Sequence, residues 1–476
     1  MRKLPVYLVV LLLLWIAFAF PRCAQIVAPT GGPKDTLPPY LVRTVPPDSS
    51  LHFNSKKIEL DFNKFIQLSD LSKQLIIAPT PKRQPQFRSK LRSLSITWFD
   101  TLKPNTTYII NMGNAIEGIN EGNPIKNFRY VFSTGSYLDS LEIRGKVITA
   151  KTGLPDSTAA VMLYVNTQDS VVSKEKPVYY ARTNGDGSFL FQNLPHGTFK
   201  IFALDETNGD LEYDDSTEAI AFISQPLKVD SNISGITLLS FLEKENVPKS
   251  SEAAPAPPSK EKGKIKKLQV GVQLNGSQQD LNKPLVVNFE TPLKEIDSSK
   301  IILLEDTTYH PVPFVFHEDT MHKSVQLAYK WKEDMPYRLI LDSAFATDTS
   351  GLTQARPDTV NFRSKSLSDY GTLTLHFDTS DTTNLYVVQL YLNDQMLYSS
   401  PIKGNTWKQG YLDPGTYQVR ILKDDNHNGK WDRGCYYCKG KRQPEQVHSI
   451  PDKFSVKANW DNDYNDLKFS FPEIQE

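Results

Sequence analysis

Cysteine is nearly missing from this chain. Only Cys23, Cys435 and Cys438 occur in 476 residues, a usage that suits an exported protein and leaves the last two free to pair with each other. Net charge is missing too: 54 basic residues face 54 acidic ones. With no basic excess over the whole chain, no nucleic-acid partner is expected. No segment carries a sustained apolar stripe of 3.6-residue period, so helices should be few and short. There is no nucleophile elbow, no HExxH and no paired arrangement of His and acid. The eight histidines are scattered. A hydrolase therefore has only its location in its favour.

What is present points to β-structure. Proline (32) outnumbers glycine (24), and tyrosine and phenylalanine number 21 and 24. Proline, β-branched and aromatic residues in short alternating runs favour strands. The N-terminus is different. Arg2 and Lys3 precede Val6–Phe20, an apolar run of 15 residues. A membrane span needs about 20 residues, and the shorter run matches a secretory signal. Three readings stay open: cleavage after Ala19, lipid attachment at Cys23, or an uncleaved anchor. The small residues that normally precede a lipidated Cys are replaced by Phe20, Pro21 and Arg22, but a polar tether rich in Pro and Gly follows Cys23. All three readings carry the bulk of the chain out of the cytoplasm.

Residues 243–267, EKENVPKSSEAAPAPPSKEKGKIKK, have almost nothing to bury and read as an extended, solvated linker. The halves on either side look alike. KIELDFNKFIQLSD (Lys57–Asp70), with Ile58, Leu60 and Phe62 alternating, is echoed by PLVVNFETPLKEID (Pro284–Asp297), with Leu285, Val287 and Phe289. LKPNTTYIINMGNAIEG (Leu102–Gly118) parallels WKEDMPYRLILDSAFAT (Trp331–Thr347), each placing a tyrosine, Tyr108 or Tyr337, in a strand after a polar turn. Further on, NLPHGTFKIFALDETNGDLEYD (Asn193–Asp214) aligns without a gap on YLDPGTYQVRILKDDNHNGKWD (Tyr411–Asp432). The simplest order is A–B–linker–A′–B′.

These residues resemble a known family. CAQIVAPTGGPKDTLPPYLVRTVPPDSS, followed by IELDFNKFI, is similar to the start of bacterial Ig-like lipoproteins of the Bacteroidetes type, whose Ig-like domain is related to those of surface-layer proteins. That resemblance covers residues 23–136. Gly145, Gly153, Gly185, Gly187, Phe189, Leu194 and Gly197 carry the pattern of prealbumin-like or CnaB-type sandwiches, also seen as carboxypeptidase regulatory-like domains. The resemblance implies outer-membrane or surface placement and a structural or binding role. The expected fold is all-β: tandem sandwiches, Ig-like alternating with prealbumin/CnaB-like, after a signal peptide. The expected divisions are 1–22 signal peptide, 23–38 tether, 39–136 Ig-like, 137–242 CnaB-like, 243–267 linker, 268–365 Ig-like and 366–476 CnaB-like.

Two features could carry chemistry. DDNHNGKWD (Asp424–Asp432) has most of the spacing of a calcium loop. Its ligands would be Asp424, Asn426, Asn428, the carbonyl of Lys430 and Asp432. The carboxylate expected at the twelfth position is replaced by Cys435. The first-half counterpart offers Asp205, Glu206, Asn208, Asp210 and Asp214, with Leu211 in place of the glycine. Asp and Asn also form Asx-turns, so the bland reading is a hairpin loop. No cofactor is required, and calcium is the one candidate. Cys435-Tyr-Tyr-Cys438 reads as a loop-closing disulfide, free thiols, or half of a zinc or redox site. Trp407, Tyr411, Trp431, Tyr436, Tyr437 and Trp460 would form a carbohydrate platform if exposed together. The expected function is an exported, lipid-anchored envelope protein without catalysis, bound to the membrane through Cys23 and to an envelope protein. The alternative is a lipoprotein that captures glycan or another substrate.

Overall fold

The computed structural model describes residues 34–205, 209–214, 218–244, 268–354, 356–379 and 384–474. Cys23, Glu206 and Asn208 lie outside these. The fold is all-β, and no helix among the described residues is long and apolar enough to cross a membrane. The chain divides into two compact bodies: one runs to Ile77 and resumes at Pro81–Leu138, the other comprises Ala78–Thr80 and Asp139–Glu476.

The first body is one sandwich. Strand Lys57–Phe62 buries Ile58, Leu60 and Phe62 and turns Lys57 and Glu59 outward, which is the period-2 pattern of a half-buried strand. Its sheet has the order Leu41–Val45, Lys57–Phe62, Ser93–Thr97, Gln86–Lys90. On the other side Thr107–Gly113 pairs antiparallel with Phe128–Ser133. Between them Phe132 stacks on Phe53 and Tyr108, with centroids 3.9 and 5.3 Å away, and Trp98 meets it edge-on at 5.8 Å.

The third sandwich, in the second body, repeats this plan. Val270–Gln273, Leu285–Phe289, Ser324–Ala328 and Val315–Glu318 take the same order. Trp331, Tyr337 and Phe362 form the equivalent aromatic group. The two tyrosines are matched in their polar ends as well. Tyr108 Oη accepts the Lys103 amide at 2.8 Å, and Tyr337 Oη accepts the Lys332 amide at 3.1 Å. Each ties its strand to the turn five residues back, satisfying a phenol that burial would otherwise make costly.

The second and fourth sandwiches form another matched pair. In the second, Leu141–Thr149 runs parallel to the last strand, Ile233–Leu242, and antiparallel to Ser188–Leu194. In the fourth, Gly371–Phe377 runs parallel to Asp461–Leu467 and antiparallel to Thr406–Leu412. The Gly-Thr strands aligned from sequence are Gly197–Leu204 and Gly415–Lys423. They pair antiparallel with Ala160–Tyr164 and Tyr386–Leu392.

Two differences from the sequence reading concern the linker. The compact bodies divide after the first sandwich, not at the linker in the middle of the chain. The reason is that the second and fourth sandwiches pack on each other. Of the expected linker 243–267, residues 245–267 lie outside the described residues, and Glu243 is held in place. Glu243 Oε1 accepts the amides of Tyr436 and Tyr437 at 2.6 and 3.1 Å, and Oε2 accepts the Tyr213 hydroxyl at 2.8 Å. Composition marks this glutamate as solvated, but three donors from distant parts of the chain fix it.

Candidate functional site

The Asp424 loop follows strand Gly415–Lys423 directly. Asp424 is buried, and its carboxylate accepts the amides of Asn428 and Gly429 at 3.1 and 2.7 Å. The chain turns through positive φ at His427 (61°) and Gly429 (75°). Asn426 and Asn428 both donate their carboxamide N–H to Asp432 Oδ2, at 2.5 and 2.6 Å. Asn428 Oδ1 accepts the Lys430 amide at 2.7 Å.

A further carboxylate joins them that spacing did not reveal. Glu445 accepts the amides of Asp425 and Asp432 at 3.0 and 2.8 Å. Its own amide donates to the Asp432 carbonyl at 3.0 Å. Burial, with the charges of Asp432 and Asp424, pushes its carboxyl above the usual range. It lies thirteen positions after Asp432, with the cysteine loop between, so no fixed motif could have found it. As they stand, these groups close on each other through hydrogen bonds. Among the described residues no three His, Cys, Asp or Glu side chains are placed to hold a metal ion.

The earlier loop is described only in part. Asp205 donates its amide to the Ala219 carbonyl at 3.0 Å, and Asp210 accepts the Glu212 amide at 2.9 Å. Asp214 is exposed, while its neighbour Tyr213 is buried.

The sequence between Cys435 and Cys438 has the most specific surroundings. The two cysteines are joined by a disulfide. The hairpin behind them is closed by reciprocal backbone bonds between Cys435 and Arg442 at 2.8 and 2.9 Å. At its tip Tyr436 enters the core of the second sandwich, 3% exposed. It meets Phe202 and Phe222 edge-on, with centroids 5.6 and 5.0 Å away. Its hydroxyl donates to the Asp169 carbonyl. Lys441 and Lys200 converge on the Asp169 carboxylate. The hydrogen bond from Lys441, opposed by burial and assisted by Lys200, holds this carboxyl below its usual range. Gln443 Nε2 reaches the Phe222 carbonyl at 2.9 Å. Gly434 lies against Phe241 so closely that a Cβ there would stand 2.5 Å from the ring. Nearby, the Lys151 ammonium lies 5.8 Å from the Trp431 ring centroid.

This placement removes the aromatic strip. Trp407 and Tyr436 are buried and Trp431 is partly covered, which leaves Tyr411, Tyr437 and Trp460 open at 46, 59 and 63% exposure. Tyr411 leans on Tyr370 (5.6 Å) in one place and Tyr437 stacks on Tyr213 (5.5 Å) in another. The first body has an open groove of about 220 Å³ beside Leu37, Phe65 and Ile119. The second has one of about 440 Å³ beside Asn275, Asp280 and Asp413. Neither groove has a serine, cysteine or histidine in its wall; the lysines there, Lys64 and Lys283, are paired with Asp35 and Asp280.

The third and fourth sandwiches are joined by charge. Lys365, 5% exposed, places its ammonium 2.6 Å from both Asp280 Oδ1 and Asp413 Oδ1. Tyr370 Oη accepts the Leu281 amide at 2.9 Å.

Residues 35–134 match the family model of a bacterial Ig-like domain. No curated protein matches the chain. Among solved structures, similarity is found to the major pilin subunit of Bacillus cereus, at 9% identity over 70% of this chain and 98% of that one, with a TM-score of 0.15. The TIE protein of Bacillus anthracis is similar at 11% identity over 92% and 76%, with a TM-score of 0.16. The native alpha-2-macroglobulin of Escherichia coli, in a fragment, is similar at 10% identity over 39% and 70%, with a TM-score of 0.19. Scores this low carry no inference about how the sandwiches are arranged or what they do.

Proposed function

We propose that the chain is a non-catalytic cell-envelope protein, lipid-anchored through Cys23, in which a series of β-sandwiches serves as a structural or partner-binding module. The observation that carries this reading is what the most densely connected polar groups do. Lys365 with its two aspartates, and Glu243 with Asp169 around Tyr436, hold sandwich to sandwich. Asp280 and Asp413 also stand in the wall of the groove beside Asn275, but there their carboxylates are engaged by Lys365. The match of residues 35–134 to a bacterial Ig-like domain supports the same class. The test is fractionation of the native envelope. The wild type should sediment with membranes and incorporate an alkyne-tagged fatty acid, whereas Cys23→Ser should lose the label and become soluble. A wild type without label would sink the anchor. Envelope proteins cross-linked to the wild type and identified by mass spectrometry would name the partner.

Calcium enters this proposal as a stabiliser. Asp424, Asn426, Asn428, the Lys430 carbonyl and Asp432 are oxygen donors on one turn, of the kind a hard cation takes once they are re-aimed at it. Asn426 and Asn428 already converge on one Asp432 oxygen, and turning their carboxamides would present oxygen instead of nitrogen. At a hundredfold excess over Kd, calcium should stabilise by about 2.7 kcal/mol, a few degrees in Tm. The shift should vanish in Asp424→Ala plus Asp432→Ala. Equal melting of the wild type in calcium and in chelator would reduce the loop to a turn.

A further inference from the structure

We propose that the Cys435–Cys438 loop is a thiol-operated latch: reduction of its disulfide by a small dithiol unseats Tyr436 and loosens the hold of the fourth sandwich on the second. The disulfide encloses only Tyr436 and Tyr437, with a sequence separation of 3. The stabilisation a disulfide gives by restricting the unfolded chain grows with the length of the loop it closes, so this one adds little to the fold as a whole. Its effect is local. It fixes the turn that points Tyr436 into the ring cluster of Phe202, Phe222 and Tyr213 while presenting two successive amides to Glu243.

Both ends of the device are in the right surroundings. Tyr436 is buried, whereas Cys438 is exposed and Cys435 half-buried, so a reductant can reach sulfur without unfolding either sandwich. Exposed disulfides are the labile ones. The exchange balances. One thiolate of the dithiol attacks a sulfur of the pair, forming a mixed disulfide and freeing the other cysteine as a thiolate. The second thiol of the reductant then displaces the remaining cysteine. The protein gains two electrons and two protons, and the reductant leaves as its own disulfide.

With the turn relaxed, the adjacent amides of Tyr436 and Tyr437 no longer share one geometry on Glu243 Oε1, and the buried ring loses its aim. Contacts outside the closed loop remain: Lys441 on the Asp169 carboxylate, Gly434 against Phe241, Arg433 on the Glu243 carbonyl and Gln443 on the Phe222 carbonyl, so what reduction loosens is the seat of Tyr436. The fourth sandwich stays joined to the third through Lys365, so the loosening is confined to its face against the second.

The test is hydrogen exchange on the full chain in detergent, with and without dithiothreitol, after thiol titration shows two new thiols. Exchange in Ala219–Phe222 and Leu239–Glu243 should quicken about tenfold, with Leu141–Thr149 as protected as before. Cys435→Ser plus Cys438→Ser should reproduce this without reductant, and Tyr436→Ala should do so with the disulfide intact. Unchanged exchange in the reduced protein overturns the latch. Loss of protection through the whole fourth sandwich overturns it as well, because the disulfide would then be a fold staple.

Discussion

Phe132→Ala should cost the first body about 4 kcal/mol, within the range for emptying an aromatic from a packed core. Phe132 is fully buried and stands at the centre of a ring cluster, stacked on Phe53 and Tyr108 and met by Trp98. Tyr108 cannot collapse into the space without abandoning the Lys103 amide. The loss should also be confined. Residues 139–476 form a separate compact body, so hydrogen exchange should quicken across Lys57–Phe62, Thr107–Gly113 and Phe128–Ser133 and leave Leu141–Thr149 unchanged. Equal loss of protection in both bodies would show that they unfold as one.

Lys365→Met should loosen the joint between the third and fourth sandwiches at a cost of about 3 kcal/mol. Removing one member of a buried ion pair is costly, and here it leaves Asp280 with Lys283 alone and facing Asp413. The joint should also depend on pH in a definite direction. Burial would raise the Asp280 carboxyl, but hydrogen bonds from Lys283 and Lys365 outweigh it and hold the group below its ordinary 3.8. The stability it contributes is therefore present above about pH 4 and is lost as acid titrates the folded-state carboxyl. Burial would lower the Lys365 ammonium, but Asp280 and Asp413 outweigh it and hold the group above 10.5. That contribution is complete below about pH 10.5 and is lost in stronger alkali. Urea midpoints at pH 3, 7 and 11 should fall at both extremes in the wild type. In the methionine variant the alkaline fall should shrink. A variant as stable as the wild type at pH 7 would show that the ion triad is not what holds the joint.

How much of this was legible depended on the range of the interaction. The alternation at Ile58, Leu60 and Phe62 is visible in six residues of sequence, because a strand's inward and outward faces are set by its own backbone. The repeat of Asn193–Asp214 in Tyr411–Asp432 fixed the Gly-Thr strands, because both copies must pair with equivalent neighbours. The acidic loop was half legible. Asp424 to Asp432 lie on one turn, but Glu445 reaches them only after the cysteine hairpin folds back. The packing of Tyr436 was not legible at all. Its ring partners lie more than 200 positions earlier, and the glutamate that caps its amide sits where composition changes to linker. Cys435-Tyr-Tyr-Cys438 showed only that a short loop could close. What the closed loop was for depended on a surface made by another sandwich.

The parallel pairing of first and last strands has a mechanical consequence. In the second sandwich Leu141–Thr149 and Ile233–Leu242 run the same way, so the chain enters at one pole and leaves at the opposite one. The fourth does the same with Gly371–Phe377 and Asp461–Leu467. A pull between entry and exit therefore acts along the strands. It shears the whole ladder from Gly145–Ile236 to Thr149–Ser240 at once, where an antiparallel hairpin would peel open bond by bond. A protein tethered at one end and loaded at the other would be built from sandwiches that resist in this direction.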